Sequence, residues 1–255
     1  MNHKSLFEEL IEDKELDKKI VKSFRIKDSL SLDIFDKKDD SFVMKSEIHD
    51  KLLEIADQFM DFLGVEFFIH DVVLTGSLAN FSWSEYSDID LHILIDFEDS
   101  EYDSKLLKEF FDAKEKAWKE KHQIKIKGFD VEIYPQNTNE EHVSSGVYSI
   151  LNNEWVIVPE KRKPKIDDRK IIEKGEEYGN QIDSLISRFE KNENVGDHAK
   201  MLYKKIKSFR QSGLESGGEY SYENLTFKLL RRNGYIKKLL DLKTKVSDKK
   251  LSIPQ

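Results

Sequence analysis

The segment VVLTGSLANFSWSEYSDIDLHILIDF, from Val72 to Phe97, places a Gly-Ser step shortly before two aspartates in an apolar strand pattern. Asp88 and Asp90 are one residue apart. Side chains at i and i+2 of a strand point to the same face, roughly 7 Å apart along the chain. Two carboxylates this close repel each other, and a charge within a strand core is costly without a partner. The pattern therefore predicts a cation bound between Asp88 and Asp90.

The chemistry of the two aspartates favours a hard divalent cation. The chain contains no cysteine, which excludes a disulfide framework and a Cys-based zinc site. Carboxylate oxygens suit Mg²⁺ and Mn²⁺, which often bind through one or two carboxylates together with the phosphates of a substrate. Asp88 and Asp90 are therefore the predicted metal ligands, with Mg²⁺ or Mn²⁺ as the cofactor. The structural alternative is one aspartate at a strand start and another in an exposed edge strand.

The Gly-Ser step, Gly76 and Ser77, lies where an apolar strand is predicted to end and a short helix of about two turns to begin. Glycine allows a close backbone approach, and the amides of a helix start, with a serine hydroxyl, form a natural phosphate site. Ser77 precedes Asp88 by 11 positions. This interval allows the chain to return on a neighbouring strand, so the predicted phosphate site and metal ligands come together.

A third carboxylate is expected on the predicted strand GFDVEIYP, where Asp130 and Glu132 share one face. Periodicity does not choose between them. Glu132 lies deeper in the strand, between Val131 and Ile133, where a buried charge most needs a metal. We therefore favour Glu132, with Asp130 as the alternative.

The periodicity of the whole chain predicts an α+β fold. A small mixed sheet with flanking helices is expected first, followed by a C-terminal helical domain with three helical segments. Asn152-Asn153 is typical of a hairpin turn, and Pro164 marks a boundary. The predicted parts are an N-terminal arm or helix (1–45), a catalytic core (46–160) and the helical domain (161–255).

Composition and charge restrict the class of protein and its partners. No apolar run approaches the roughly 20 residues that span a bilayer, and the N-terminus lacks the apolar block of a signal peptide, so a cytoplasmic protein without membrane contact is expected. Residues 161–255 contain 23 Lys and Arg against 14 Asp and Glu, a net charge of +9. The rest carries −17, since the total is −8. The basic part suggests a polyanionic partner, such as a triphosphate or RNA.

The stretch LTGSLANFSWSEYSDIDLHILI resembles the signature of the nucleotidyltransferase superfamily of the DNA polymerase beta type. The family's Gly-Ser falls on Gly76 and Ser77, its paired aspartates fall on Asp88 and Asp90, and FDVEIYP matches its later carboxylate strand. VEIYP is also similar to the VDLVP-like strand of the oligonucleotide-synthase branch, with Glu132 in place of Asp. The resemblance covers about residues 48–135, and the overall arrangement is similar to stand-alone phage-encoded nucleotidyltransferases.

This resemblance implies metal-dependent transfer of a nucleoside monophosphate from an NTP to an acceptor hydroxyl. One Mg²⁺ would activate the hydroxyl and a second would bind the triphosphate. The acceptor stays open among an RNA end, a protein, a small molecule and a second nucleotide. The alternative is a catalytically inactive module that binds nucleotide or protein, such as an antitoxin.

Several further residues have both a structural and a functional interpretation. Trp83 and Tyr86 either stack on a base or pack within their loop, and His92 either supports the aspartates or packs on the strand. The segment Ser212–Asn224 is either a helix connection or a mobile loop. Arg210 and Lys228 flank this segment, and the basic candidates for contacts with a triphosphate or an RNA backbone are Lys204, Lys205, Lys207, Arg231 and Arg232.

Overall fold

The computed structural model describes residues 6–39, 41–99, 102–140, 144–161 and 164–253. The chain forms two compact units, which we call the sheet unit (Ile26–Arg162) and the helical unit (Met1–Arg25 with Lys163–Gln255). The stretch 1–45, predicted as one segment, is thus divided between the two units. Among the described helices, none is long and apolar enough to cross a membrane.

In chain order the elements are α1 (Leu6–Lys22), β1 (Phe35–Lys38), β2 (Ser41–Met44), α2 (Ser46–Leu63), β3 (Ile69–Thr75), β4 (Ile89–Ile95), α3 (Ser104–Lys121), β5 (Lys125–Ile126), β6 (Phe129–Asn137), β7 (Val147–Ser149), β8 (Glu154–Ile157), α4 (Asp168–Glu190), α5 (Gly196–Gly217), α6 (Tyr222–Arg232) and α7 (Tyr235–Leu251). The mixed sheet with flanking helices, followed by a helical region, confirms the predicted fold class.

The sheet unit is built on a six-stranded sheet in the order β5-β6-β4-β3-β7-β8. β3 runs antiparallel to β4 and to β7, whereas β4 and β6 run parallel. The parallel pair is possible because α3 lies between β4 and β6 in sequence and returns the chain to the end of the sheet where β4 begins. The sheet is therefore mixed, and its only described parallel pair contains the two strands that carry the predicted carboxylates.

The strand β4 alternates strictly between its two faces. Ile89, Leu91, Ile93 and Ile95 are buried in the core of the sheet unit, and the residues between them are partly exposed. This core also receives one face of α2, which ends where Gly64 adopts the left-handed conformation with φ 72°. The period-2 pattern of β4 and the period-3.6 pattern of α2 thus form the elements that they predict.

The helical unit has its own apolar core, to which α4, α5, α6 and α7 contribute. Four helices follow Pro164 in the described residues, whereas the sequence predicted three segments. The third predicted segment is two helices, because the chain turns at Asn233 and Gly234, and Gly234 adopts φ 87°. α1 also belongs to this unit, where Asn233 donates a hydrogen bond to Asp17 over 3.0 Å.

Candidate active site

Gly76 lies directly after β3, and the position of the Asp90 side chain leaves no space for a side chain at position 76. Its backbone has φ 71° and ψ −159°, a region that is open essentially to glycine alone. A Cβ atom at Gly76 would lie 1.8 Å from Asp90 Oδ2. The carboxylate of Asp90 is therefore held directly against the backbone of the Gly-Ser step, which requires a residue without a side chain at position 76.

Ser77 begins a single 3-10 turn, Ser77–Ala79, so the prediction of a helix of about two turns was wrong. The Ser77 hydroxyl donates a hydrogen bond to Ser87 Oγ over 2.7 Å, and Ser87 Oγ also accepts from the Ser84 amide over 2.9 Å. Short polar side chains thus bind their own loop, which competes with helix formation. Ser77 faces the residue that immediately precedes Asp88.

Asn80 completes this loop and was not identified from the sequence. Its side-chain nitrogen donates to the Gly76 carbonyl over 3.0 Å and to Ser145 Oγ over 3.1 Å, while its oxygen accepts from the Ser82 amide over 2.7 Å. Asn80 is 3% exposed. Because it holds the carbonyl of Gly76, Asn80 maintains the backbone conformation on which the close contact with Asp90 depends.

The two aspartates lie at the start of β4. Asp88 immediately precedes the first residue of the strand and Asp90 is its second residue; both are partly buried. Asp90 is the register partner of Thr75, the last residue of β3. The Gly-Ser step and the aspartates are therefore brought to the same end of the β3–β4 pair.

Glu132 lies beside Asp90. In the parallel pair of β4 and β6 the two residues are direct register partners, and neighbouring strands are about 4.8 Å apart. The Glu132 side chain is 23% exposed, whereas that of Asp130 is 57% exposed and forms an ion pair of 2.9 Å with Lys125 of β5. The geometry thus brings Glu132 to Asp90 and directs Asp130 to a partner at the edge of the sheet.

Two groups that the sequence did not single out contact Glu132. Lys119 of α3 forms an ion pair with it, and the Tyr134 hydroxyl donates a hydrogen bond to its other oxygen. Burial raises the pKa of Tyr134, and its hydrogen bond to Glu132 and the negative charge of Asp90 raise it further, so the hydroxyl stays a donor. The sequence contains a signal for the contact of Tyr134 with Glu132, because Tyr134 lies two residues after Glu132 and therefore on the same face of the strand.

Glu115 of α3 adds negative charge to this region. Burial raises the pKa of the Glu115 carboxyl, and the charges of Asp112 and Glu132 raise it as well, against the opposing effect of Lys119. Several carboxylates that repel one another at the end of a sheet favour a bound cation. The oxygen donors of Asp88, Asp90 and Glu132 fit a hard divalent metal ion.

Two of the other candidates pack within the sheet unit. The Trp83 indole nitrogen donates to the Ser29 carbonyl over 2.9 Å, and Lys27 lies over its ring at 5.6 Å. His92 Nδ1 is 2.7 Å from Gln136 Oε1, and its ring lies 5.1 Å from that of Tyr134. These contacts give Trp83 and His92 structural roles, with His92 supporting the orientation of Tyr134.

A second group of possible metal ligands lies at the opposite end of the same strands. His70, Asp96 and Asp99 have ligand atoms within 4.8 Å of one another. His70 follows Ile69, which pairs with Ile95, so this group is separated from Gly76 and Asp90 by the length of the β3–β4 pair. His70 and Asp99 are exposed, and none of the predicted metal ligands belongs to the group.

A Gly-Ser turn beside strand carboxylates combines groups that suit a phosphate with groups that suit a hard divalent cation. Residues 50–158 match the family model of the nucleotidyltransferase domain, and this match lies within the sheet unit. The chain thus contains a nucleotidyltransferase domain, and this match confirms the family resemblance and the enzyme class expected from the sequence. No curated protein matches the chain significantly. The similarity to stand-alone phage-encoded nucleotidyltransferases stays a prediction.

Proposed function

We propose that the enzyme transfers a nucleoside monophosphate from an NTP to an acceptor hydroxyl with the help of Mg²⁺ or Mn²⁺. The observation that carries the proposal is the alignment of Asp90 with Glu132 across β4 and β6, with Asp90 Oδ2 against Gly76. This alignment supports a metal site formed by Asp88, Asp90 and Glu132. A metal bound there would lower the pKa of the acceptor hydroxyl and offset charge on the triphosphate.

The residues of the chain orient the reacting groups. Gly76 and Ser77 are the proposed phosphate-binding residues, because a backbone amide and a hydroxyl are available at the end of β3 beside the carboxylates. The Ser77 hydroxyl would exchange its bond to Ser87 for a phosphate oxygen. Tyr134 holds one oxygen of Glu132, and this fixes the carboxylate for its proposed role as the third metal ligand.

Lys119 gives the Glu132 carboxylate a compensating charge in this structure. A Lys ammonium is a compact cation on a flexible stem, and the Lys119 side chain is 62% exposed, so it can withdraw when a divalent ion takes over that role. Asp130 has a separate partner in Lys125, which supports Glu132 as the third carboxylate and Asp130 as a surface residue.

For the acceptor we propose a polyanion, such as an RNA end. The net charge of +9 on residues 161–255 supports this choice, because a basic surface attracts an anionic partner and accelerates its association. A protein hydroxyl or an uncharged small molecule as acceptor would instead predict that transfer depends little on salt concentration.

The test is release of pyrophosphate from each common NTP, with and without Mg²⁺, in the presence of RNA, nucleotide, small-molecule and protein acceptors. Asp88→Asn and Asp90→Asn should each lower the rate by about a hundredfold or more, since a metal ligand is lost. Asp96→Asn is the matched control, because Asp96 follows the other end of β4.

Loss of activity in the Asp96 variant with normal activity in the Asp90 variant would move the metal to the His70 group and refute the proposed site. Mg²⁺-dependent binding of NTP without release of pyrophosphate with any acceptor would favour a binding module instead. RNA-dependent release that weakens as salt increases is the result expected from the proposal.

A further inference from the structure

A cavity of about 190 Å³ lies in the sheet unit between α3 and β6, and we call it the α3–β6 cavity. Tyr134 and Gln136 border it on the side of β6, and Phe111 and Glu115 border it on the side of α3. Because Tyr134 also donates a hydrogen bond to Glu132, the cavity begins beside the proposed third metal ligand. Pockets that enclose a whole drug-sized ligand measure about 300–1,000 Å³, so this cavity fits one ring system of a larger molecule.

Four aromatic side chains border the cavity. Phe97 and Phe111 are almost fully buried, and the centres of their rings lie 5.3 Å apart. The rings of His92 and Tyr134 lie 5.1 Å apart. Aromatic walls suit a planar aromatic ring, which they contact by offset stacking or edge to face.

Two carboxylates of α3 border the same cavity and have no hydrogen-bond donor. Asp112 and Glu115 lie three positions apart on the helix, and neither makes a hydrogen bond or an ion pair within the described parts of the chain. Glu115 is partly buried, and burial and the charge of Asp112 raise the pKa of its carboxyl. A partly buried carboxylate without a donor is unfavourable, and a ligand with N–H donors would offset that cost.

Gln136 supplies a donor on the side of the strands. Its side-chain oxygen is 2.7 Å from His92 Nδ1, and its nitrogen donates to the Glu140 carbonyl over 3.4 Å. A side-chain amide has two N–H donors, so one of them has no partner among the residues that the structure describes. The cavity thus offers a carboxylate acceptor on α3 and an amide donor on β6.

These groups match the edge of a guanine base. Guanine presents a ring N–H beside its exocyclic amino group, and one carboxylate can accept from both. Its O6 is an acceptor that suits an amide N–H. Adenine and cytosine carry an amino group without an adjacent ring N–H, and uracil has a ring N–H without an amino group. Guanine therefore makes fuller use of Glu115 and Gln136 than the other bases do.

We propose that the α3–β6 cavity binds a guanine base of a nucleotide substrate, with Glu115 as the acceptor for its amino group and ring N–H and Gln136 as the donor to its O6. The base comes from the NTP or from the terminal nucleotide of the acceptor. That it belongs to a substrate rests on the proposed function. The choice of guanine follows from the groups that border the cavity.

The test is equilibrium binding of guanosine monophosphate (GMP) and inosine monophosphate (IMP) to the full chain in EDTA, measured by calorimetry. The two nucleotides differ only in the exocyclic amino group. GMP should bind at least about tenfold more tightly, since IMP lacks one hydrogen bond to a charged group. Glu115→Met keeps the length of the side chain and removes the acceptor, so the preference should fall below about twofold.

Two further variants show whether the effect is specific. Glu109→Met replaces an exposed glutamate of α3 outside the cavity and should keep the preference for GMP. Gln136→Met should weaken GMP and IMP by the same factor, because both bases carry O6. A loss of structure would not produce this division between the two positions, and thermal melting verifies that each variant is folded.

Three results would overturn the inference: equal affinity of the wild type for GMP and IMP, no binding of either nucleotide, or a preference for GMP that persists in Glu115→Met. Spermidine is the probe for the alternative ligand, an organic cation attracted by the carboxylates. If spermidine binds more tightly than GMP and loses its affinity in Glu115→Met, the cavity is an amine site and the inference is likewise wrong.

The outcomes also separate this inference from the proposed function. Asp90 does not border the cavity, so Asp90→Asn should abolish transfer and leave the preference for GMP unchanged. If the wild type prefers GMP through Glu115 but releases no pyrophosphate with any acceptor, the cavity binds guanine and the proposed function fails. If transfer proceeds but the protein does not distinguish GMP from IMP, the proposed function stands and the inference fails.

Transfer assays identify the source of the base. The donors compared are GTP and ITP, and the RNA acceptors compared end in guanosine and in inosine. A slower rate with ITP assigns the base to the donor, and a slower rate with the inosine end assigns it to the acceptor. Equal rates in both comparisons, with active transfer, would overturn the assignment of the cavity to a substrate.

Discussion

Replacement of Gly76 by alanine tests the contact on which the proposed site is built. The new Cβ would lie 1.8 Å from Asp90 Oδ2, 2.8 Å from Asp90 Cγ and 3.2 Å from Asp90 Cβ, so the carboxylate must leave its position. The backbone at φ 71° and ψ −159° adds strain, because this region is essentially restricted to glycine. Gly76→Ala should therefore both destabilise the sheet unit and displace the proposed metal ligand.

The backbone strain sets the lower part of the expected cost. It amounts to about 2–3 kcal/mol, which corresponds to a decrease in Tm of about 4–12 °C for a chain of this size. The steric conflict with Asp90 adds to this cost unless the side chain rotates. Thermal melting measures the total, and release of pyrophosphate measures the displacement of Asp90.

A double-mutant cycle separates the two contributions. In an Asp90→Ala background the conflicts with Oδ2 and Cγ are absent, so Gly76→Ala should cost less than in the wild type, and the backbone strain and the 3.2 Å contact with Cβ should remain. The coupling between the two positions is the energy of the contact. An equal cost in both backgrounds, together with normal turnover of Gly76→Ala, would refute the inference that position 76 must lack a side chain because of Asp90.

Four further variants test the remaining parts of the site. Ser77→Ala should weaken NTP binding about tenfold with little change in Tm, since a hydrogen bond to a charged group contributes about 1.5–3 kcal/mol; unchanged NTP affinity would remove Ser77 from the site. Glu132→Gln should abolish Mg²⁺-dependent transfer and Asp130→Asn should not, and the reverse order would move the third ligand to Asp130. Tyr134→Phe should raise the Mg²⁺ concentration at half-maximal rate up to about tenfold.

Local patterns in the sequence predicted much of the sheet unit. The alternation of Ile89, Leu91 and Ile93 predicts one buried face of β4, and the apolar spacing in α2 predicts its buried stripe; the structure has both. These predictions succeed because a period of 2 or 3.6 residues is set by near neighbours in the chain. The Gly-Ser step and the two aspartates are recognisable for the same reason, since they occupy one short segment.

Predictions from local patterns were wrong where side-chain hydrogen bonds or an unusual backbone conformation interrupt regular structure. The interval after Ser77 is long enough for a helix, but Ser84, Ser87 and Asn80 bind the loop instead, and only a 3-10 turn forms. In the helical unit the apolar spacing continues through Gly234, although the left-handed backbone of that residue divides the segment into two helices. In both cases the prediction placed the apolar residues correctly, but it did not predict the course of the backbone.

The sequence by itself determined which faces of the strands are apolar and which short segments carry carboxylates, because these properties depend on residue type and spacing. The register of β4 against β6 was decided only by the tertiary structure, and with it the pairing of Asp90 with Glu132 rather than with Asp130. A shift by two residues would keep every side chain on the same face, so the period of a strand cannot distinguish the two carboxylates. The register depends instead on contacts between residues that are far apart in the chain, because α3 and β5 separate the two strands in sequence.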